Sequence, residues 1–131
     1  MRYDLVVVGG GPAGEKAAVA AAYFGKKVAL IERAEAGPGG AAVHTGTLPS
    51  KTLRETALYL NGFQRRQLYK TLPKVFAPEH RSIADLMCRL PAVRSGQADL
   101  ICKNLERHGV ELICGSGVLD DANHFRIGER V

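Results

Sequence analysis

The sequence predicts an α/β fold, a parallel βαβ core followed by a C-terminal antiparallel strand region, and three observations carry that prediction. A β-branched run, Asp4-Leu-Val-Val-Val8, stops at three glycines; an alanine-rich segment follows; and a second apolar run, Lys27 to Glu32, closes on an acid. Two short apolar runs bracketing a helix within about thirty residues make a βαβ unit, and its right-handed crossover requires parallel strands.

Each element has its own reason. Asp4–Val8 reads as a buried parallel strand ending in a turn. Ala13 to Gly25 is rich in a strong helix former, carries Gly14 only in its first turn, and ends on a glycine suited to a C-cap. Residues 34–47 lack an apolar period and are rich in Gly and Ala, so a loop with accessible backbone is expected. Pro49 suits a first helical turn, and Leu53, Ala57, Leu58 and Leu60 give a stripe up to Gly62. Residues 63–81, with Pro73 and Pro78 and mixed charge, read as a surface connection. Ser82 and Asp85 resemble a capping box, after which Ile83, Leu86, Met87, Leu90, Ile101 and Leu105 form a helical stripe that Pro91 should kink or divide. Val110–Cys114 returns to strand character. Gly115-Ser-Gly117, Val118-Leu119 and Phe125–Ile127 then suggest short antiparallel strands.

Composition narrows the function. With 131 residues, 46% of them hydrophobic, the chain suits one domain with a real core. Its longest apolar runs fall far short of the roughly 20 residues that a membrane span requires, and no signal-peptide core precedes the first strand, so no membrane partner and a cytoplasmic address are expected. Cys88, Cys102 and Cys114 show no CxxC spacing, which supports neither a disulfide framework nor a metal site, and they read as reduced, structural thiols. The net charge of +5 is scattered apart from Arg65, Arg66 and Lys70, and no nucleic-acid motif accompanies it, so a solvated surface rather than a nucleic-acid partner is expected.

Gly9-Gly10-Gly11-Pro12-Ala13-Gly14 fits GxGxxG, placed between a strand and a helix. Gly9 allows the tight turn, Gly11 lets backbone approach a pyrophosphate, and Gly14 lets helix and strand pack closely. The phosphates would rest at the helix N-terminus, beside Pro12 and Ala13, where free N–H groups and the helix dipole favour negative charge. Glu32 ends the second strand about twenty residues after the motif, where a carboxylate can accept hydrogen bonds from both ribose hydroxyls and would repel a 2′-phosphate. The nucleotide expected at this site is therefore FAD or NAD, not NADP. Alternative readings are a structural glycine turn and a solvated strand-end glutamate.

The continuation decides between the two nucleotides. Gly39-Gly40-Ala41-Ala42-Val43-His44-Thr45-Gly46-Thr47-Leu48-Pro49-Ser50-Lys51 follows the second strand at once, and with the dinucleotide motif it resembles the FAD domain of the pyridine nucleotide-disulfide oxidoreductases, a Rossmann-like fold. In that family the loop reads GGTCLNVGCxPSK, with two cysteines forming a redox disulfide beside the flavin. Here those positions hold Ala42 and Thr47, neither of which can form a disulfide or a thiolate, so a dithiol relay is excluded. His44, Gly46, Thr47, Pro49, Ser50, Lys51, Leu53 and Arg54 are similar to the HWGTIPSKALR pattern of one branch, the soluble Si-specific pyridine nucleotide transhydrogenases. Ala42 departs from that branch, and the loop before Gly39 is one residue longer.

The resemblance implies an FAD flavoprotein in which the flavin takes a hydride from NADPH and gives it to NAD, with no protein nucleophile. It places Lys51 near flavin N5, where an ammonium stabilises charge on the reduced ring, and Thr47 against the isoalloxazine. The bland alternatives are an exposed lysine and a helix-capping threonine. Gly40 and Ala41, with Gly46 in the same motif, would let backbone approach the pyrophosphate and ribitol. Gly117 passes the adenine or serves a turn, Arg33 faces the adenosine or solvent, and His44 reads as a loop histidine. Only one GxGxxG is present, so residues 1–131 are expected to be the N-terminal part of an FAD-binding domain, inactive alone. Its NAD(P)-binding and dimerisation domains would lie outside this chain, the parent would be a homodimer, and the isolated part would self-associate through open apolar surface. The rival functions are another FAD-dependent NAD(P)H oxidoreductase or diaphorase of the family, and a non-catalytic dinucleotide-binding module.

Overall fold

A computed structural model describes residues 1–65, 83–121 and 123–128, with the backbone alone described at 60–65 and 85. The chain opens with β1 (Leu5–Val8), α1 (Pro12–Tyr23) and β2 (Val28–Glu32), continues through α2 (Gly40–His44), α3 (Thr47–Arg65), α4 (Ile83–Met87) and α5 (Leu90–Arg107), and closes with β3 (Glu111–Cys114), β4 (Ser116–Leu119) and β5 (Phe125–Gly128). β1, β2 and β3 form a parallel sheet in that order, pairing Val7 with Leu30 and Leu30 with Leu112, while β4 and β5 pair antiparallel. The α/β class, the parallel core and the antiparallel C-terminal strands all follow the sequence expectation.

The central strand is buried along its whole length. Val28 and Leu30 face Ala18 of α1 and Ile101 and Leu105 of α5, which together with Val43 and Val110 make the core. β1 differs from its expected burial: Leu5 is 38% and Val8 58% exposed, because β1 stands at an edge of the sheet and pairs, among the described residues, only with β2. The alanines of α1 allow it to lie close to the sheet, and Asn104 Nδ2 of α5 donates to Glu15 Oε1 at 2.7 Å, tying the two helices together near the start of α1.

Four local expectations are corrected. Residues 40–44, expected as loop, form the short helix α2. α3 begins at Thr47 and passes Gly62 to reach Arg65; the rest of the expected 63–81 connection and the Ser82 cap lie outside the described residues. Its buried face is Pro49, Thr52 and Thr56, whereas Ala57 and Leu58 are exposed. Thr56 Oγ1 donates to the Thr52 carbonyl at 2.9 Å, and a hydroxyl satisfied within its own helix can be buried without a stranded donor. Finally, Ile83 and Met87 are exposed although the stripe assigned them inward. The stripe does divide where Pro91 sits, in the first turn of α5, where its missing N–H costs nothing.

No disulfide joins the three cysteines. Cys88 and Cys114 are exposed, contrary to a purely structural role, while Cys102 is half-buried on α5. Burial pushes the Cys102 thiol above its ordinary value, assisted by the charges of Asp99 and Cys114. Since the thiolate is the reactive form, iodoacetamide at neutral pH is expected to label Cys114 well before Cys102. Peptide mapping that found Cys102 labelled first would contradict this placement.

Candidate functional site

The C-terminal ends of the three parallel strands meet the first turn of α1, and the residues singled out from the sequence converge there. The Gly9 N–H donates to the Ile31 carbonyl at 2.8 Å, and the chain then turns through Gly9 at φ 96, a left-handed conformation that favours glycine. A Cβ on Gly14 would run into the Gly9 carbonyl oxygen, so the approach of α1 to the strand depends on that glycine. Gly11 is the N-cap of α1 and Pro12 its first residue, which leaves the N–H groups of the following residues pointing out of the helix end.

Glu32 is 8% exposed and holds the turn from the other side. Its Oε2 accepts from the Gly10 N–H at 2.7 Å and its Oε1 from the Ala34 N–H at 2.8 Å. Each carboxylate oxygen keeps capacity for a further donor. Beside it opens a hollow of about 190 Å³ lined by Gly9, Glu32, Arg33, Gly115, Ser116 and Gly117, among others. Gly117 lies inside β4 rather than in a turn, and a Cβ there would run into the Phe125 ring, so the hairpin packs closely at this point.

The segment after β2 folds back onto the glycine turn. The Gly39 N–H donates to the Gly10 carbonyl at 2.7 Å, and a Cβ on Gly10 would stand 2.7 Å from Pro38 Cβ. Gly40 faces Gly11 so closely that a Cβ on Gly40 would lie 3.0 Å from the Gly11 Cα. Gly46 packs on the Ala41 carbonyl, which accepts its N–H at 2.6 Å. Thr47 and Lys51 are solvent-exposed in the first turns of α3. The Ser50 N–H bonds the Gly46 carbonyl at 3.0 Å, so the capping position belongs to Gly46 and not to Thr47.

The sequence-derived residues thus fall into three groups. Gly9, Glu32, Arg33 and Gly117 line one hollow; Gly11, Pro12, Ala13 and Gly14 form the adjoining helix start, with Gly40 against it; Ala41 follows in α2, its carbonyl bonded by the Gly46 N–H, and Gly46, Thr47 and Lys51 lie further along, at α3. Pro38 and Gly10, which lock the two glycine segments together, were not singled out, and only the prolyl residue between two glycines hinted at them. Among the described residues no three or more metal-ligating side chains gather, and no helix is long and apolar enough to cross a membrane.

A family model described as FAD dependent oxidoreductase matches residues 4–122, and the chain belongs to that family. It is 46% identical over 128 residues to the soluble pyridine nucleotide transhydrogenase of Mycobacterium bovis (strain BCG / Pasteur 1173P2), a match covering 98% of this chain and 27% of that relative. The protein of the same name from Marinomonas sp. (strain MWYL1) is 34% identical over 125 residues, covering 95% and 26%. Among solved structures, LpdA from Mycobacterium tuberculosis superposes with a TM-score of 0.72 at 30% identity, over 89% of this chain and 24% of that one. The Cu(II) complex of the HOCl-induced flavoprotein disulfide reductase RclA from Escherichia coli gives a TM-score of 0.72 at 25% identity, over 98% and 25%. The chain therefore spans about a quarter of the length of these relatives.

FAD is the cofactor of this family, and the geometry fits its adenosine diphosphate end. A buried carboxylate borders a hollow at the glycine turn that leads into α1, and Gly40 packs on Gly11 so closely that a side chain there would push the turn aside.

Proposed function

We propose that these residues form the FAD-binding part of a flavoprotein that exchanges hydride between NADPH and NAD. The observation that carries the reading is the hollow that Glu32 shares with Gly9 of the glycine turn, a turn backed by Gly40 packed against Gly11. The relatives named transhydrogenase support the electron acceptor, and so does the presence of Ala42 and Thr47 where a dithiol would require cysteines.

In this reading Glu32 accepts the ribose hydroxyls, Arg33 and Gly117 border the adenine, and the first turn of α1 with Gly9, Gly11, Pro12, Ala13 and Gly14 receives the pyrophosphate. Gly40, Ala41 and Gly46 keep backbone close to the rest of the cofactor. When bound, FAD supplies the hydride acceptor and donor. Lys51 contributes a positive charge and Thr47 a hydroxyl on the side of α3 assigned to the flavin. Lys51→Ala is expected to slow hydride transfer roughly a hundredfold with little change in FAD affinity, as removal of one preorganised charge-stabilising group does elsewhere; stopped-flow reduction checks this, and an unchanged rate would remove Lys51 from the reaction.

The nicotinamide-binding and dimerisation parts belong, on this reading, to the remainder of a cytoplasmic homodimeric protein of its relatives' length. Among the described residues the outer edge of β1 is unpaired, and the isolated 131-residue chain is expected to self-associate, so light scattering should show mass rising with concentration. The functional test is NADPH-dependent reduction of thio-NAD by the full-length protein. Turnover supports the exchange reaction; flavin reduction without thio-NAD reduction would assign the protein to a diaphorase using another oxidant.

A further inference from the structure

Between β2 and α3 the backbone visits the left-handed region at Gly37 (φ 85), Gly39 (φ 134) and Gly40 (φ 55). Glycines take such angles readily but also take many others, so a segment built this way has little intrinsic preference for one path. The site nevertheless requires one path. Gly39 must lie against the Gly10 carbonyl and Gly40 against Gly11 for the glycine turn before α1 to be held in one conformation.

One side chain closes this segment on itself. His44, in the last turn of α2, has its Nε2 3.0 Å from the Gly37 carbonyl oxygen. A carbonyl can only accept, so Nε2 carries the proton and donates. The other ring nitrogen, Nδ1, is buried and has no hydrogen-bond partner among the described residues, which leaves the ring committed to the Gly37 bond. Gly37 is itself seated on α5, where a Cβ would meet Ala98 at 3.5 Å. The bond from His44 to Gly37 therefore spans Pro38, Gly39 and Gly40, the residues that press on the glycine turn. A loop histidine was all that the sequence suggested here.

Resting on the FAD reading above, we propose that His44 is a positioning residue for the dinucleotide: its ring, by holding the Gly37 carbonyl, keeps Gly39 and Gly40 packed against Gly10 and Gly11 and so fixes the glycine turn that presents the first N–H groups of α1 to the pyrophosphate. Without the donor, the segment populates other backbone paths, and apparent affinity falls by the fraction of time the competent path is lost. The effect reaches every ligand that carries the pyrophosphate, with or without a flavin.

The test compares His44→Gln, His44→Asn and His44→Leu in the full-length flavoprotein. Gln places an amide N–H where Nε2 stood, Asn places it one bond short, and Leu removes it. The readouts are FAD affinity by flavin fluorescence, ADP affinity by calorimetry, and amide hydrogen exchange at Gly39, whose N–H is bonded to Gly10. His44→Asn and His44→Leu are expected to weaken both FAD and ADP about tenfold, the worth of one hydrogen bond, and to speed Gly39 exchange, while His44→Gln stays close to the unsubstituted protein. Asn binding as tightly as Gln, or Leu as tightly as His, would overturn the proposal, and should Leu prevent folding the Gln–Asn contrast still decides it. An unsubstituted protein that bound neither FAD nor ADP would overturn the FAD reading itself, and this inference with it.

Discussion

Gly14→Ala is expected to abolish FAD binding and to lower stability by about 3 kcal/mol, at the upper end of overpacking costs. The added methyl would run into the Gly9 carbonyl oxygen and lie 3.3 Å from Val7 Cγ1. The first obstacle is backbone, so no rotamer change relieves it. Gly9 cannot retreat either, because its N–H is bonded to the Ile31 carbonyl. The helix must move away from β1, and the N–H groups at its start move with it. Gly96 offers the matched control: it lies exposed within α5 and a Cβ there meets nothing within 4 Å among the described residues. Gly96→Ala should stabilise by about 0.5–1 kcal/mol through reduced unfolded-chain entropy. Urea denaturation of the two variants checks the contrast, and a Gly14→Ala protein as stable as the parent would contradict the packing described.

Glu32→Ala is expected to weaken FAD binding about a hundredfold, the sum of two hydrogen bonds from ribose hydroxyls to a charged acceptor. It also strands the Gly10 and Ala34 N–H groups at a site only 8% exposed, each costing about 1–3 kcal/mol unless water reaches it. Glu32→Gln should fall between, since its amide keeps one carbonyl oxygen for one of the two backbone donors. Flavin fluorescence titration measures the affinities. Equal affinity in all three proteins would show that the carboxylate serves the turn alone.

The legible parts of the sequence were those fixed by local chemistry. The βαβ unit, the glycine turn and the terminal acid are written in contiguous residues, where apolar runs and glycines leave few alternatives. Pro91 likewise marks a helix boundary by its own covalent structure. Less legible were features set by contacts between distant segments. β1 looks like an interior strand because Leu-Val-Val-Val is apolar, yet exposure depends on which strands flank it. The five residues of α2 are too short and too small-sided to show a period. The buried face of α3 was misassigned because Thr52 and Thr56 count as polar until the internal hydrogen bond that lets them be buried is known. The placement of Gly40 against Gly11, and of His44 on Gly37, spans a loop whose glycines permit many paths and so encode none of them locally.

For the proposed flavin site that passes hydride without a dithiol, the decisive measurement is an anaerobic visible spectrum of the full-length protein, titrated with NADPH and then NAD. The flavin bands should bleach with NADPH without a long-wavelength thiolate charge-transfer band, and the oxidised spectrum should return on adding NAD. A charge-transfer band, or a reduced flavin that NAD fails to reoxidise while oxygen, a quinone or a metal ion succeeds, would contradict the proposal.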